Sequence, residues 1–137
     1  MARIIVAEDD PHILRVISLW LTRQGHTVHE ARNGRVALEL AQSEPPDVLV
    51  TDINMPELDG LQLLDRLRAE HCCPRGIVVL TNRWDHREIG ETLAQQGVHV
   101  MPKPFSPTNL ADLIEKLANG RAWFLHPKLP GRFNRFA

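Results

Sequence analysis

Short apolar runs alternate along the chain with stretches in which apolar residues recur every three or four positions. Arg3 to Ala7 carries Ile4-Ile5-Val6, too short and too β-branched for a helix core, and predicts a buried strand. Asp10 is a good helix N-cap and Pro11 a good first helical residue. Ile13, Leu14, Ile17, Trp20 and Leu21 follow at helical spacing until Gly25 ends the run. Thr27 to Ala31 is more polar, as an edge strand is, and after Asn33-Gly34 a helix places Val36, Ala37, Leu40 and Ala41 on one face before Pro45-Pro46.

Asp47 to Asp52 is the most strand-like run in the chain, and the loop residues Met55-Pro56, Asp59 and Gly60 follow it. A helix then carries Leu61, Leu64 and Leu67 up to the break at Pro74, and Gly76 to Leu80 predicts a fourth buried strand. The next helix, His86 to Gln96, has only Ile89, Leu93 and Ala94 as an apolar stripe. It contains Gly90, which costs about 1 kcal/mol relative to Ala in a helix interior. Gly97 to Met101 predicts a short fifth strand and Pro102-Lys103-Pro104 a rigid turn. Leu110, Leu113, Ile114 and Leu117 define a last helix ending at Asn119-Gly120.

Strands and helices in strict alternation imply right-handed crossovers, a parallel sheet and helices on both faces: an α/β, doubly wound (βα)5 architecture with a five-stranded parallel sheet. Ligands then bind at the carboxyl ends of the strands, near the point where strand order reverses.

Composition narrows the class. The 137 residues, 43% hydrophobic and 24% charged, suit one globular domain, and no apolar run approaches the roughly 18 residues of a membrane span. The apolar stretch after Met1 is too short for a signal peptide, so a cytoplasmic location is expected. Cys72 and Cys73 are adjacent, cannot staple the fold and lack metal spacing; they read as reduced thiols. The histidines other than His99, His26 among them, show no ligand spacing and read as surface or helix-end residues. Residues 121–137 carry Arg121, Lys128, Arg132 and Arg135 and no acid, whereas residues 1–120 are net acidic. An acidic body offers no electrostatic footprint for nucleic acid.

The chemistry gathers at the predicted strand ends. Strand one ends in Glu8-Asp9-Asp10, strand three in Asp52 and strand four at Thr81, and strand five leads to Lys103. Converging carboxylates suit a hard divalent ion such as Mg²⁺ better than zinc. A lysine ammonium and a threonine hydroxyl beside them fit the oxygens of a phosphoryl group, which suggests phosphoryl transfer onto a carboxylate. Taken singly, each residue has a plainer role as a turn acid, a cap or a surface lysine, with Asp10 the clearest cap.

The runs Ile4-Ile5-Val6-Ala7-Glu8-Asp9-Asp10-Pro11, Pro46-Asp47-Val48-Leu49-Val50-Thr51-Asp52-Ile53-Asn54-Met55-Pro56-Glu57-Leu58-Asp59-Gly60, Leu80-Thr81 and Lys103-Pro104-Phe105 together resemble the receiver domain of bacterial two-component response regulators. The resemblance spans about residues 3 to 119. It implies a flavodoxin-like fold with strand order 2-1-3-4-5. It also implies that Asp52 accepts a phosphoryl group from a sensor histidine kinase or phosphotransfer protein. Asp9, Asp52 and the backbone carbonyl of Asn54 would ligate Mg²⁺, with Glu8 acting through water. Thr81 and Lys103 would contact phosphoryl oxygens, and a cis Lys103-Pro104 bond would aim the ammonium inward.

Such a protein is not an enzyme in the usual sense, although it catalyses its own Mg²⁺-dependent phosphorylation and dephosphorylation. The resemblance places a downstream protein partner on the face of helix four, strand five and helix five, with a monomer or a phosphorylation-dependent dimer. Val100 stands where the family usually has an aromatic residue, three positions before the lysine.

The expected organisation is a receiver domain over 1–120 and a basic, aromatic-containing tail over 121–137, too short for an output domain. The tail is either disordered or folded back, or it docks a partner through its Arg, Phe and Trp residues. Two other functions remain open: a pseudo-receiver that binds partners constitutively, and an aspartyl-phosphate phosphohydrolase. The last class carries an acid/base aspartate two residues after its nucleophile, where this chain has Asn54.

Overall fold

A computed structural model describes residues 2–81, 87–103 and 105–119. The predicted alternation is realised as β1 (Arg3–Ala7), α1 (Pro11–Arg23), β2 (Thr27–Ala31), α2 (Gly34–Ser43) and β3 (Val48–Asp52). It continues through α3 (Gly60–Ala69), β4 (Gly76–Thr81), α4 (Arg87–Gln95), β5 (His99–Pro102) and α5 (Pro107–Ala118). All paired strands are parallel and lie in the order β2-β1-β3-β4-β5. The fold is therefore the flavodoxin-like doubly wound sheet.

Burial follows position in the sheet. β3 and β4 are buried throughout and β1 nearly so, as expected of strands covered on both faces, while the edge strands β2 and β5 are partly open. Successive residues point to opposite faces. Ile5, Leu49, Ile77 and Val79 pack with α2, α3 and α4 residues such as Leu38, Leu63, Leu67 and Leu93. Ile4, Val6, Val50, Val78 and Leu80 pack against α1 and α5 through Leu14, Ile17, Leu110 and Ile114. Each fully buried aliphatic side chain contributes about 2 kcal/mol by removal from water.

Helix starts are capped, α1 by the residue the sequence indicates. The Asp10 side chain accepts from the amides of His12 at 2.9 Å and Ile13 at 3.3 Å. Asn33 caps α2, Asp59 and Gln62 form a capping box on α3, and Ser106 caps α5.

Several boundaries move, each for a local reason. Asp47 lies just outside β3; its carboxylate accepts from the Arg3 amide at 2.9 Å. Gly97 lies in the turn that closes α4: it has φ 83°, its amide donates to the Ala94 carbonyl, and the next amide donates to the Leu93 carbonyl. β5 accordingly starts at His99. β4 extends one residue further than predicted, to Thr81.

His26 is not a surface residue. It is 5% exposed; its Nδ1 accepts from the Ala2 amide at 3.0 Å, and Nε2 pairs with Glu115 Oε2 at 3.1 Å, tying the start of β1 to α5. Cys72 and Cys73 remain thiols. Among the described residues no helix is long and apolar enough to cross a membrane. His86, the Lys103-Pro104 bond and the 121–137 tail lie outside the described residues.

Candidate functional site

Because every strand runs the same way, the carboxyl ends of β1, β3, β4 and β5 share one edge, and the residues just past them are forced together. Glu8 follows β1, Asp52 closes β3, Thr81 closes β4 and Lys103 follows β5. Lys103 Nζ donates to Glu8 Oε1 at 2.7 Å and to Asp52 Oδ2 at 3.1 Å. Glu8 Oε2 accepts from the Asp10 amide at 3.2 Å. Carboxylate oxygens of Glu8, Asp9 and Asp52 lie within 4.8 Å of one another; Glu8 and Asp52 are buried and Asp9 is exposed.

Burial pushes the Glu8 carboxyl up to about 7 from 4.5, against the hydrogen bond from Lys103 and with the negative charge of Asp52 adding to the rise. Burial works against the Lys103 ammonium too, but its hydrogen bond to Glu8 and the charges of Asp52 and Glu8 outweigh that cost and hold its pKa above the usual lysine value. When all are ionised, three carboxylates and one ammonium leave two negative charges uncompensated, the charge of one divalent cation. An all-oxygen donor set with that deficit fits Mg²⁺.

The acids sit at one end of an open groove of ≈ 760 Å³. Asp10, His12, Asn54 and Lys103 join the three acids in its polar lining, and Ile13 and Val16 of α1 with Phe105 and Pro107 supply the apolar lining. Asn54 is exposed there. Thr81 reaches the same edge and is 7% exposed, but it does not line this groove; its carbonyl accepts from the Lys103 amide at 2.7 Å. Val100 is half-buried against the α2–α4 side of the core.

The apolar wall contributed by α1 was not singled out from the sequence as part of a site, Ile13 being read there only as a helix residue. A signal for it existed in the apolar Val16, which falls off the buried stripe of α1 formed by Leu14, Ile17 and Leu21.

This fold and this acidic edge are those of a signalling receiver. The chain matches the family described as "Response regulator receiver domain" over residues 4–115. It is 35% identical over 112 residues to "Response regulator GtcR" of Aneurinibacillus migulanus, covering 82% of this chain and 46% of that protein. It is 30% identical over 114 residues to "Transcriptional regulatory protein SrrA" of Staphylococcus aureus, covering 83% of this chain and 46% of that one. It thus spans about half the length of the curated relatives it matches. The solved Francisella response regulator 1452 receiver domain superposes with a TM-score of 0.80 at 29% identity, covering 88% of this chain and 98% of that one. The protein belongs to the response regulator receiver domain family. Members of this family are signalling proteins of two-component systems that bind Mg²⁺ at an acidic pocket, and the cluster of Glu8, Asp9 and Asp52 is such an acidic group.

Proposed function

We propose that Asp52 is the phosphoacceptor of this receiver, taking a phosphoryl group from a histidine kinase or phosphotransfer protein. The observation that carries this reading is the Lys103 ammonium held between Glu8 and Asp52 at the mouth of a groove. An Asp52 oxygen forms the new P–O bond while the P–N bond of the donor phosphohistidine breaks, and the electron pair leaves with the imidazole nitrogen. Lys103 neutralises charge on the phosphoryl oxygens, and the Thr81 hydroxyl donates to one of them. Asp9, Asp52 and the Asn54 carbonyl, with Glu8 acting through water, would hold a Mg²⁺ ion that would supply the remaining charge neutralisation.

In this reading residues 1–120 form the receiver and 121–137 a basic, aromatic tail. The exposed apolar side chain of Val16, which lines the groove from α1, supports docking of the phosphodonor there. Phosphorylation changes affinity for a partner protein on the α4-β5-α5 face. The phosphohydrolase alternative is not favoured by the family assignment.

The test is phosphate incorporation from acetyl phosphate with Mg²⁺, comparing the chain with Asp52→Ala on an acyl-phosphate-retarding gel while recording Trp fluorescence. A shifted band that needs both Mg²⁺ and Asp52 supports the reading. No shift and no Mg²⁺ binding would leave a constitutive partner-binding module in its place.

A further inference from the structure

The loop between Asp52 and α3 contains a backbone anomaly. Glu57 has φ 67°, a left-handed value in a residue with a full side chain. The Leu58 amide donates back to the Pro56 carbonyl at 2.8 Å, closing a three-residue turn centred on Glu57. A γ-turn with positive φ at its centre is rare and strained. Such strain persists only where the surroundings over-determine it.

Here the constraint comes from the first turn of α2. Glu57 Oε2 accepts from Asn33 Nδ2 at 2.8 Å, and Glu57 Oε1 accepts from Arg35 Nε at 3.1 Å. Asn33 is itself fixed by capping α2, its Oδ1 accepting from the Val36 amide at 2.8 Å, and Arg35 is steadied by Glu39 at 3.0 Å. Between them, a Cβ on Gly34 would lie 2.0 Å from the Leu58 carbonyl oxygen, so α2 is seated directly on the loop. On the inner side, Met55 is buried in the core and the Gly60 amide donates to the Ile53 carbonyl at 2.7 Å. Asn54 lies between these fixed points, lining the acidic groove.

The Arg35–Glu57 pair is solvent-exposed, at 56% and 49%, where ion pairs add little to stability. Stability therefore does not account for a strained residue gripped by both carboxylate oxygens; control of loop geometry does. We propose that Glu57 is a positioning residue of the phosphoryl-transfer site. By pinning the turn to α2 it holds the Asn54 backbone where its carbonyl serves the metal. The inference rests on the proposed reading of that carbonyl as a ligand.

The test is calorimetric Mg²⁺ titration of the whole chain carrying Glu57→Ala, Arg35→Ala, both together, or Glu57→Gly, with amide hydrogen exchange on the metal-free proteins. Glu57→Ala is expected to weaken Mg²⁺ binding about tenfold. Arg35→Ala should lose less, and the double variant should be no worse than Glu57→Ala. Exchange at Leu58 should quicken in Glu57→Ala while the urea midpoint moves little. Glycine adopts φ 67° without strain but restores no anchor, so Glu57→Gly should bind as weakly as Glu57→Ala. Normal binding by Glu57→Gly would overturn the role of the anchors, and unchanged affinity in Glu57→Ala would overturn the inference outright. An unmodified chain that binds no Mg²⁺ would instead overturn the metal reading beneath it.

Discussion

Lys103 Nζ lies 2.7 Å from Glu8 Oε1, and the carboxylate it meets belongs to a residue only 1% exposed. A buried acid beside one ammonium and a second carboxylate is incompletely compensated, which is why its proton is held so firmly.

This arrangement makes metal-free stability depend on pH in a definite direction. The Glu8 carboxyl titrates at about 7 in the fold against 4.5 for an unperturbed glutamate, so between those values the folded chain keeps a proton that the unfolded chain has lost. The contribution, on the order of 3 kcal/mol, is complete below 4.5 and disappears as pH rises through about 7. Urea unfolding without Mg²⁺ should show stability falling across this window, and Glu8→Gln, which carries no titrating proton, should flatten the fall. An equally steep profile in Glu8→Gln would assign the dependence to another group.

Asp10 separates helix capping from site chemistry. It caps α1 through two amides and lies outside the cluster of Glu8, Asp9 and Asp52. Asp10→Ala should cost about 1 kcal/mol in chemical denaturation while leaving Mg²⁺ affinity essentially intact. A large loss of Mg²⁺ affinity would show that the third acid of the run takes part in the site.

Two glycines should respond oppositely to the same substitution. In Gly34→Ala the new Cβ would meet the Leu58 carbonyl oxygen at 2.0 Å, and overpacking against backbone should destabilise by about 2 kcal/mol. Around Gly90, inside α4, nothing among the described residues lies within 4 Å of the position a Cβ would take, and Gly90→Ala should stabilise by about 1 kcal/mol. Thermal melts of the pair decide it: a Gly34→Ala chain as stable as the parent would mean that α2 can back away from the loop.

Much of this was legible in the residue pattern because parallel strands announce themselves twice, as β-branched runs and as the place where polar chemistry resumes. Asp52 and Lys103 could be assigned to strand ends from that pattern, and Asp10 to a cap. Strand order could not; periodicity says nothing about which strands are neighbours, and the order came from the family resemblance. His26 escaped because a polar residue after a glycine turn looks solvent-exposed, and only the tertiary contacts with Ala2 and Glu115 bury it. Glu57 escaped for a different reason. Glutamate is not a residue that advertises left-handed backbone, and its partners Asn33 and Arg35 lie more than twenty positions away.

Asp52 and Ile53 are joined by one peptide bond yet belong to different halves of the molecule. Asp52 faces the groove walled by α1 and the α5 end, whereas Ile53 is embedded in the apolar layer beneath α2, α3 and α4. The sheet keeps these two layers apart. The peptide bond between Asp52 and Ile53 is thus a point at which the two layers are covalently joined.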